Sequence, residues 1–208
     1  MRLSAHHPPL ASPLLLFFSA LPSVLAQSTS SYLLQDSYAG ATFFDGFTFF
    51  TDADPTHGFV SYVSQPTAQQ QGLISVNSSG AVYMGVDSTS VLAASSATGR
   101  QSVRITSTHT YNGGLILLDV AHMPGGVCGA WPAFWTVGNN WPYDGEVDIV
   151  EGVNSATRNL MSLHTGANCS VPAAGIAQSG TGLTTDCYQY DPAPVSYTHL
   201  TLPTIYSV

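Results

Sequence analysis

From Ser31 onward the chain alternates short runs of apolar and polar residues with turn-forming residues, and little of it repeats at the period of a surface helix. That texture predicts short strands. Leu73 to Val76 and Ala81 to Val86 flank Asn77-Ser78-Ser79-Gly80, which reads as a hairpin. Arg100 to Ser107, rich in Val, Ile and Thr, leads through Tyr111-Asn112-Gly113-Gly114 into Leu115 to Val120. Asn-Gly suits the positive φ of a tight turn, so a second hairpin is predicted there. Trp131 to Val137, Glu146 to Glu151 and Leu160 to His164 read as three further strands between Gly- and Asn-containing loops. The 19 glycines and 13 prolines fit this punctuation. An all-β sandwich or jelly roll is the predicted class.

The strand Glu146-Val147-Asp148-Ile149-Val150-Glu151 carries the only two glutamates of the 208 residues, with a third acid between them. Side chains two apart on a strand share a face, so Glu146 and Asp148 point the same way and Glu151 has the wrong parity. A β-bulge would restore it by adding one residue, and bulges are common beside active sites. The two glutamates would then stand as if four positions apart, with backbones about 13 Å apart at the usual strand rise. Long side chains leaning inward could approach about 5 Å, the spacing of a retaining glycosidase. Asp148, too short to attack the same carbon, could hydrogen-bond a neighbouring carboxyl group. Two close carboxyl groups resist joint ionisation, which separates a proton donor from a nucleophile. Two blander readings stand beside this one: a solvated strand face, and a calcium site, although calcium prefers several oxygens on a flexible loop.

Composition narrows the partners. The four basic residues are all arginines, against 12 acids, for a net charge of −8. A phosphate backbone would be repelled, so nucleic acid is not an expected partner, whereas a neutral polysaccharide is compatible. Arg2, the apolar run Leu14-Leu15-Leu16-Phe17-Phe18 and Val24-Leu25-Ala26 form a signal-peptide pattern over residues 1–26. Ser19, Pro22 and Ser23 interrupt that run, which is short for a membrane span. A secreted, extracellular monomer with no membrane attachment after cleavage is expected. In that setting Cys128, Cys169 and Cys187 are disulfide candidates, and Asn77 and Asn168 stand in glycosylation sequons. Three cysteines cannot all pair within the chain. The histidines His57, His109 and His122 lack metal-ligand spacing, and neither a metal nor a cofactor is expected.

Trp131-Pro132-Ala133-Phe134-Trp135, Asn140-Trp141-Pro142 and Asp144-Gly145-Glu146-Val147-Asp148-Ile149-Val150-Glu151-Gly152 together resemble glycoside hydrolase family 16, within it the fungal laminarinase-type endo-1,3(4)-β-glucanases. Gly46 to Gly58 and Ala121-His122-Met123-Pro124 share the likeness, which runs from Tyr32 to Tyr190. The resemblance implies a concanavalin-like β-jelly roll whose concave sheet holds β-glucan. It implies Glu146 as nucleophile, Glu151 as acid/base and Asp148 as the assisting carboxylate of a retaining double displacement. Trp135 and Trp141, with Trp131 less closely matched, correspond to substrate-binding positions, and aromatic faces suit the apolar C–H faces of sugars. His164 corresponds to a cleft histidine that bonds a carboxyl group or substrate. A cell-wall transglycosylase and a non-catalytic lectin-like binding domain are the alternatives on the same sandwich.

Family members continue for roughly a hundred residues more, in keeping with single sandwich domains. Residues 27–195 therefore read as the N-terminal part of a catalytic domain, an incomplete jelly roll. Residues 196–208 carry no charge and resemble a non-native tail. A chain cut there is expected to fold poorly and to be weakly active or inactive.

Overall fold

The computed structural model describes residues 31–172, 180–190 and 200–202. The signal-peptide segment, residues 191–195 and most of the tail read as non-native lie outside them. The chain divides into two units near Ile116.

The first unit is built from short ladders. A 3₁₀ turn, Gly40–Gly46, leads into β1 (Phe47–Phe49). Next come β2 (Val60–Tyr62), α1 (Gln65–Gln70), β3 (Ile74–Val76) and β4 (Val82–Met84), followed by β5 (Arg100–Ser102) and β6 (Ile105–Ser107). The Ser64 side chain accepts from Thr67 N–H and so caps the helix, with Pro66 in its first turn, where a missing N–H costs nothing. β3 and β4 form the first predicted hairpin, and the Asn77 carboxamide holds its turn by accepting from Ser79 N at 3.0 Å and Ala81 N at 2.9 Å. Phe44, Val63, Ala68, Leu73 and Ile74 make the core of this unit, with Phe49, Val82 and Val103 packed on it.

The second predicted hairpin does not form. β6 pairs antiparallel with β1, Phe49 opposite Ile105, and β5 runs parallel to β2. The stretch from Leu115 to Val120 is not a strand, and Leu115, Ile116, Leu117, Leu118 and Val120 are exposed. Gly113 and Gly114 stand at φ 145° and 141°, far from the roughly +60° of a type I′ turn, so the Asn-Gly pair does not fold the chain back. A partner distant in sequence has taken the edge that a local hairpin would have used.

The second unit is one five-stranded sheet. Its strands are β7 (Ala133–Val137), β8 (Glu146–Glu151), β9 (Asn159–His164), β10 (Thr181–Gly182) and β11 (Leu200–Leu202), in the spatial order β10-β11-β9-β8-β7 with every described pairing antiparallel. β11, which falls in the stretch read as non-native, pairs Leu200 with Met161 on one side and with Gly182 on the other. β8 is flanked on both sides by paired strands, which gives the acids it carries a fixed direction.

The loop before β8 is closed tightly. The Asp144 carboxylate accepts from Asn140 N at 3.0 Å, Asp144 N donates back to Asn140 O at 3.1 Å, and Gly138 N donates to Gly145 O at 2.9 Å. Gly145 takes φ 82°, a left-handed conformation that a side chain would strain, immediately before Glu146. The turn therefore fixes where β8 begins.

Candidate active site

The predicted bulge is present. On the β9 side Asp148 faces Ser162 and the next pair is Glu151 with Leu160, so Ile149 and Val150 stand against one residue, Met161. On the β7 side Trp135 faces Asp148 and Phe134 faces Val150, which leaves Ile149 as the inserted residue. Residues directly opposite in a ladder share a face. Leu160, Ser162 and His164, each two apart, therefore lie on one face with Glu151, Asp148 and Glu146, as do Ala133, Trp135 and Val137 from β7.

Asn159 holds this irregularity open. Its amide donates to Ile149 O at 2.9 Å, and its carbonyl oxygen accepts from Glu151 N at 3.0 Å. These are backbone groups at the point where the ladder is interrupted, and the carboxamide supplies one donor and one acceptor to meet them. The sequence reading did not single out Asn159, although an Asn opening a strand opposite the extra residue is a signal of that kind.

Around the acids the tryptophans take distinct places. Trp131 Nε1 donates to Glu151 Oε1 at 2.6 Å, and Trp141 Nε1 donates to Glu146 Oε2. Both rings are exposed, at 65% and 42%, so their faces stay open to a ligand while their N–H groups engage the acids. Trp135 is half-buried opposite Asp148. Tyr190 meets Trp141 edge to face at 6.3 Å, and Tyr188 meets Tyr190 at 5.9 Å, which adds two aromatic rings that sequence reasoning passed over.

Asp148, Ser162 and His164 are buried, at 3%, 1% and 7% exposure, while the two glutamates are half-buried. His164 Nε2 lies 3.1 Å from Asp148 Oδ2, and Ser162 Oγ donates to Glu151 Oε2 at 3.4 Å. His164 Nδ1 and Gln189 Oε1 are both sealed from solvent, and the Gln189 side chain adds to the groups that raise the ring's pKa. Gln189 reaches this position because its N–H donates to Thr165 O at 3.0 Å, one residue beyond His164. It lies 25 residues from the histidine in sequence, and no local pattern points to it.

These surroundings shift the titrations. Burial pushes the Glu146 carboxyl above its ordinary range and the charge of Asp148 adds to the effect, while His164 and the Trp141 N–H oppose it. Burial likewise raises Glu151; the Trp131 hydrogen bond pulls back, and the Asp148 charge pushes further up. For His164, burial alone would lower the pKa, but the hydrogen bond and charge of Asp148, with Glu146 and Gln189, outweigh it and leave the pKa raised. A carboxyl that keeps its proton toward neutral pH can act as an acid, and an imidazolium beside Asp148 balances the local negative charge.

Glu146, Asp148 and His164 also bring three donor atoms within 4.8 Å of one another, the group among the described residues with a cation-binding arrangement. Calcium takes six to eight oxygens, and one imidazole with two carboxylates is a smaller and less oxygen-rich set. Two carboxyl groups with a hydrogen-bonded third carboxylate can instead carry out acid and nucleophile chemistry with no bound ion.

The XgeA-like catalytic GH16 domain model matches residues 47–196. A probable endo-1,3(4)-β-glucanase of Aspergillus niger is 49% identical over 164 residues, covering 79% of this chain and 22% of that protein. The endo-1,3(4)-β-glucanase XgeA of Emericella nidulans is 46% identical over 163 residues, covering 78% of this chain and 26% of its own. This chain thus spans about a quarter of the length of those relatives. Among solved structures, an elongating family 16 β-1,3-glucosyltransferase superposes with TM-score 0.75 at 48% identity, covering 82% of this chain and 56% of that one. Laminarinase 16A from Phanerochaete chrysosporium, with 6-O-glucosyl-laminaritriose in donor and acceptor sites, gives TM-score 0.75 at 41% identity and the same coverages. The chain is all-β, with the jelly-roll fold of these neighbours. By its sequence, its fold and the acid-bearing strand, it belongs to glycoside hydrolase family 16.

Proposed function

We propose that this chain is the acid-bearing part of a secreted, retaining endo-β-glucanase that cleaves β-1,3 or mixed β-1,3/1,4 glucan. One observation carries the reading: the bulge at Ile149 that puts Glu151 on the face of Glu146 and Asp148. Family membership, and a laminarinase neighbour described with glucan oligosaccharides in donor and acceptor sites, support the substrate class.

In this reading Glu146 attacks the anomeric carbon while Glu151 protonates the departing oxygen. A glycosyl ester on Glu146 results. Glu151, now a carboxylate, takes a proton from the incoming water, and the ester breaks with a second inversion, so the configuration is retained overall. The charge of His164 and the Trp141 N–H favour the anionic Glu146 needed for attack, against burial and the Asp148 charge, and burial keeps a proton on Glu151. The open faces of Trp131 and Trp141 offer flat apolar walls to sugar rings.

A second reading has a specific observation behind it, since one neighbour at 48% identity is described as an elongating glucosyltransferase. The same glycosyl ester would then pass to a sugar hydroxyl in place of water.

Catalysis is tested on the chain extended to a full catalytic domain, with the 208-residue form, expected to be weakly active or inactive, beside it. Glu146→Gln should abolish release of reducing sugar from laminarin and leave glucan binding measurable. Full activity in that variant would remove Glu146 from the role of nucleophile.

A further inference from the structure

We propose that Cys169 and Cys187 are the two halves of a disulfide that staples the segment carrying Gln189 to the segment following His164. The register between these segments supports the pairing. Ser170 and Asp186 form an antiparallel bridge, Val171 N donates to Thr185 O at 2.8 Å, and Cys187 N donates to Cys169 O at 3.1 Å. Cys169 and Cys187 each lie one residue along from the bridged pair, in opposite senses, and so stand directly across from one another.

Residues facing each other in an antiparallel ladder project their side chains to the same side. A ladder pair that exchanges both N–H···O bonds has Cα atoms about 5.5 Å apart, inside the roughly 4.4–6.8 Å that a disulfide spans; here one of the two is made, Cys187 N to Cys169 O, while Cys187 O accepts from Thr165 N. Both are free thiols in the structure: Cys187 is buried at 1% exposure with its Sγ 3.9 Å from Thr185 O and Cys169 is exposed, so one sulfur is seated and the other can meet an oxidant. Cys128 has no such partner. It lies in an exposed loop whose Gly129 N donates to Asn154 Oδ1 at 2.8 Å, and no described backbone pairing joins it to either of the other two.

The chemistry is thiol–disulfide exchange with a small-molecule disulfide such as glutathione disulfide. The exposed Cys169 thiolate attacks one glutathione sulfur, forming a mixed disulfide and releasing one glutathione thiolate. The Cys187 thiolate then attacks the Cys169 sulfur of that mixed disulfide and releases the second glutathione. The protein gives up two electrons and two protons, and the glutathione disulfide gains both.

The consequence reaches the acid face. Thr165 N donates to Cys187 O at 2.8 Å, and Gln189 N donates to Thr165 O, so the strand held by Cys187 is the one that sets Gln189 beside His164. A covalent tie at residue 187 restricts how far that strand can move from residue 165.

The test is disulfide mapping of the 208-residue chain after equilibration with glutathione disulfide and glutathione, followed by denaturation without reductant. The expected result is one titratable thiol per chain, from Cys128, and a proteolytic peptide joining Cys169 to Cys187 that separates on reduction. Cys128→Ser should keep the linked peptide and remove the remaining thiol. Three titratable thiols in a chain that melts cooperatively, or a linkage that includes Cys128, would overturn the assignment.

Discussion

Removing the Asn159 side chain tests whether the bulge depends on a partner outside its own strand. In Asn159→Ala two hydrogen bonds disappear, one to Ile149 O at 2.9 Å and one from Glu151 N at 3.0 Å. Each backbone group left unmet in a half-buried setting costs about 1 kcal/mol, so the two together should take away about 2 kcal/mol of stability. For a domain of this size that is a fall of about 4–8 °C in Tm. The functional loss should be larger than the stability loss suggests. Glu151 takes its direction from its own N–H, and a misplacement of about 1 Å at a reacting group costs on the order of 100-fold. Asn159→Asp keeps an acceptor for Glu151 N–H and loses the donor to Ile149 O, so it should fall between the two. The assay is thermal melting together with laminarin hydrolysis in the extended domain, separating kcat from KM. The expected outcome is a kcat loss with KM little changed, graded from Asp to Ala. If Asn159→Ala melts within 1 °C of the parent and keeps kcat within about twofold, the bulge holds itself and this reasoning is wrong.

Titration gives a second prediction, and the signs agree across three groups. Glu146, Glu151 and His164 all have folded pKa values raised above their ordinary 4.5, 4.5 and 6.5, so their contribution to stability is complete below those values and is lost as pH rises through the folded ones. Asp54 is lowered, burial being outweighed by hydrogen bonds from Thr56 and Gly58 and by Arg104, so its contribution is present above 3.8 and lost as pH falls. Stability should therefore peak on the acidic side of neutral, and Glu151→Gln should flatten the decline toward alkaline pH; an unchanged slope in Tm against pH would contradict this. Gln189→Leu removes the side-chain amide that favours the charged His164, and the imidazole pKa followed by NMR should fall while Gln189→Glu raises it. No movement in either variant would exclude Gln189 as the residue that sets this ring.

Much of the acid-bearing sheet was legible because its signals are local. Strand parity lets Glu151 share the face of Glu146 only with an extra residue before it, and the bulge sits at Ile149. The Asn77 hairpin was legible for the same reason, since its turn residues bond to one another. Pairing across long stretches of chain was not legible. β6 meets β1 from 58 residues away at Thr106 and Thr48, so the apparent Asn112-Gly113 hairpin lost its strand to a remote partner. Gln189, Tyr190 beside Trp141 and Tyr188 beside Tyr190 were missed on the same ground, because residues 188–190 reach the acid strand only through the fold. Asn159 lay between these cases. Its position at the start of a strand was visible, but its task depends on which residue of β8 is extra.

Proton NMR of the first sugar released from laminarin by the extended domain distinguishes capture of the sugar by Glu146 from direct attack by water. A β-anomer appearing first and then mutarotating is the result expected when Glu146 captures the sugar and Glu151 serves it from the same face. An α-anomer appearing first would mean that water attacks in a single step, and it would contradict the pairing of these two residues as nucleophile and acid/base.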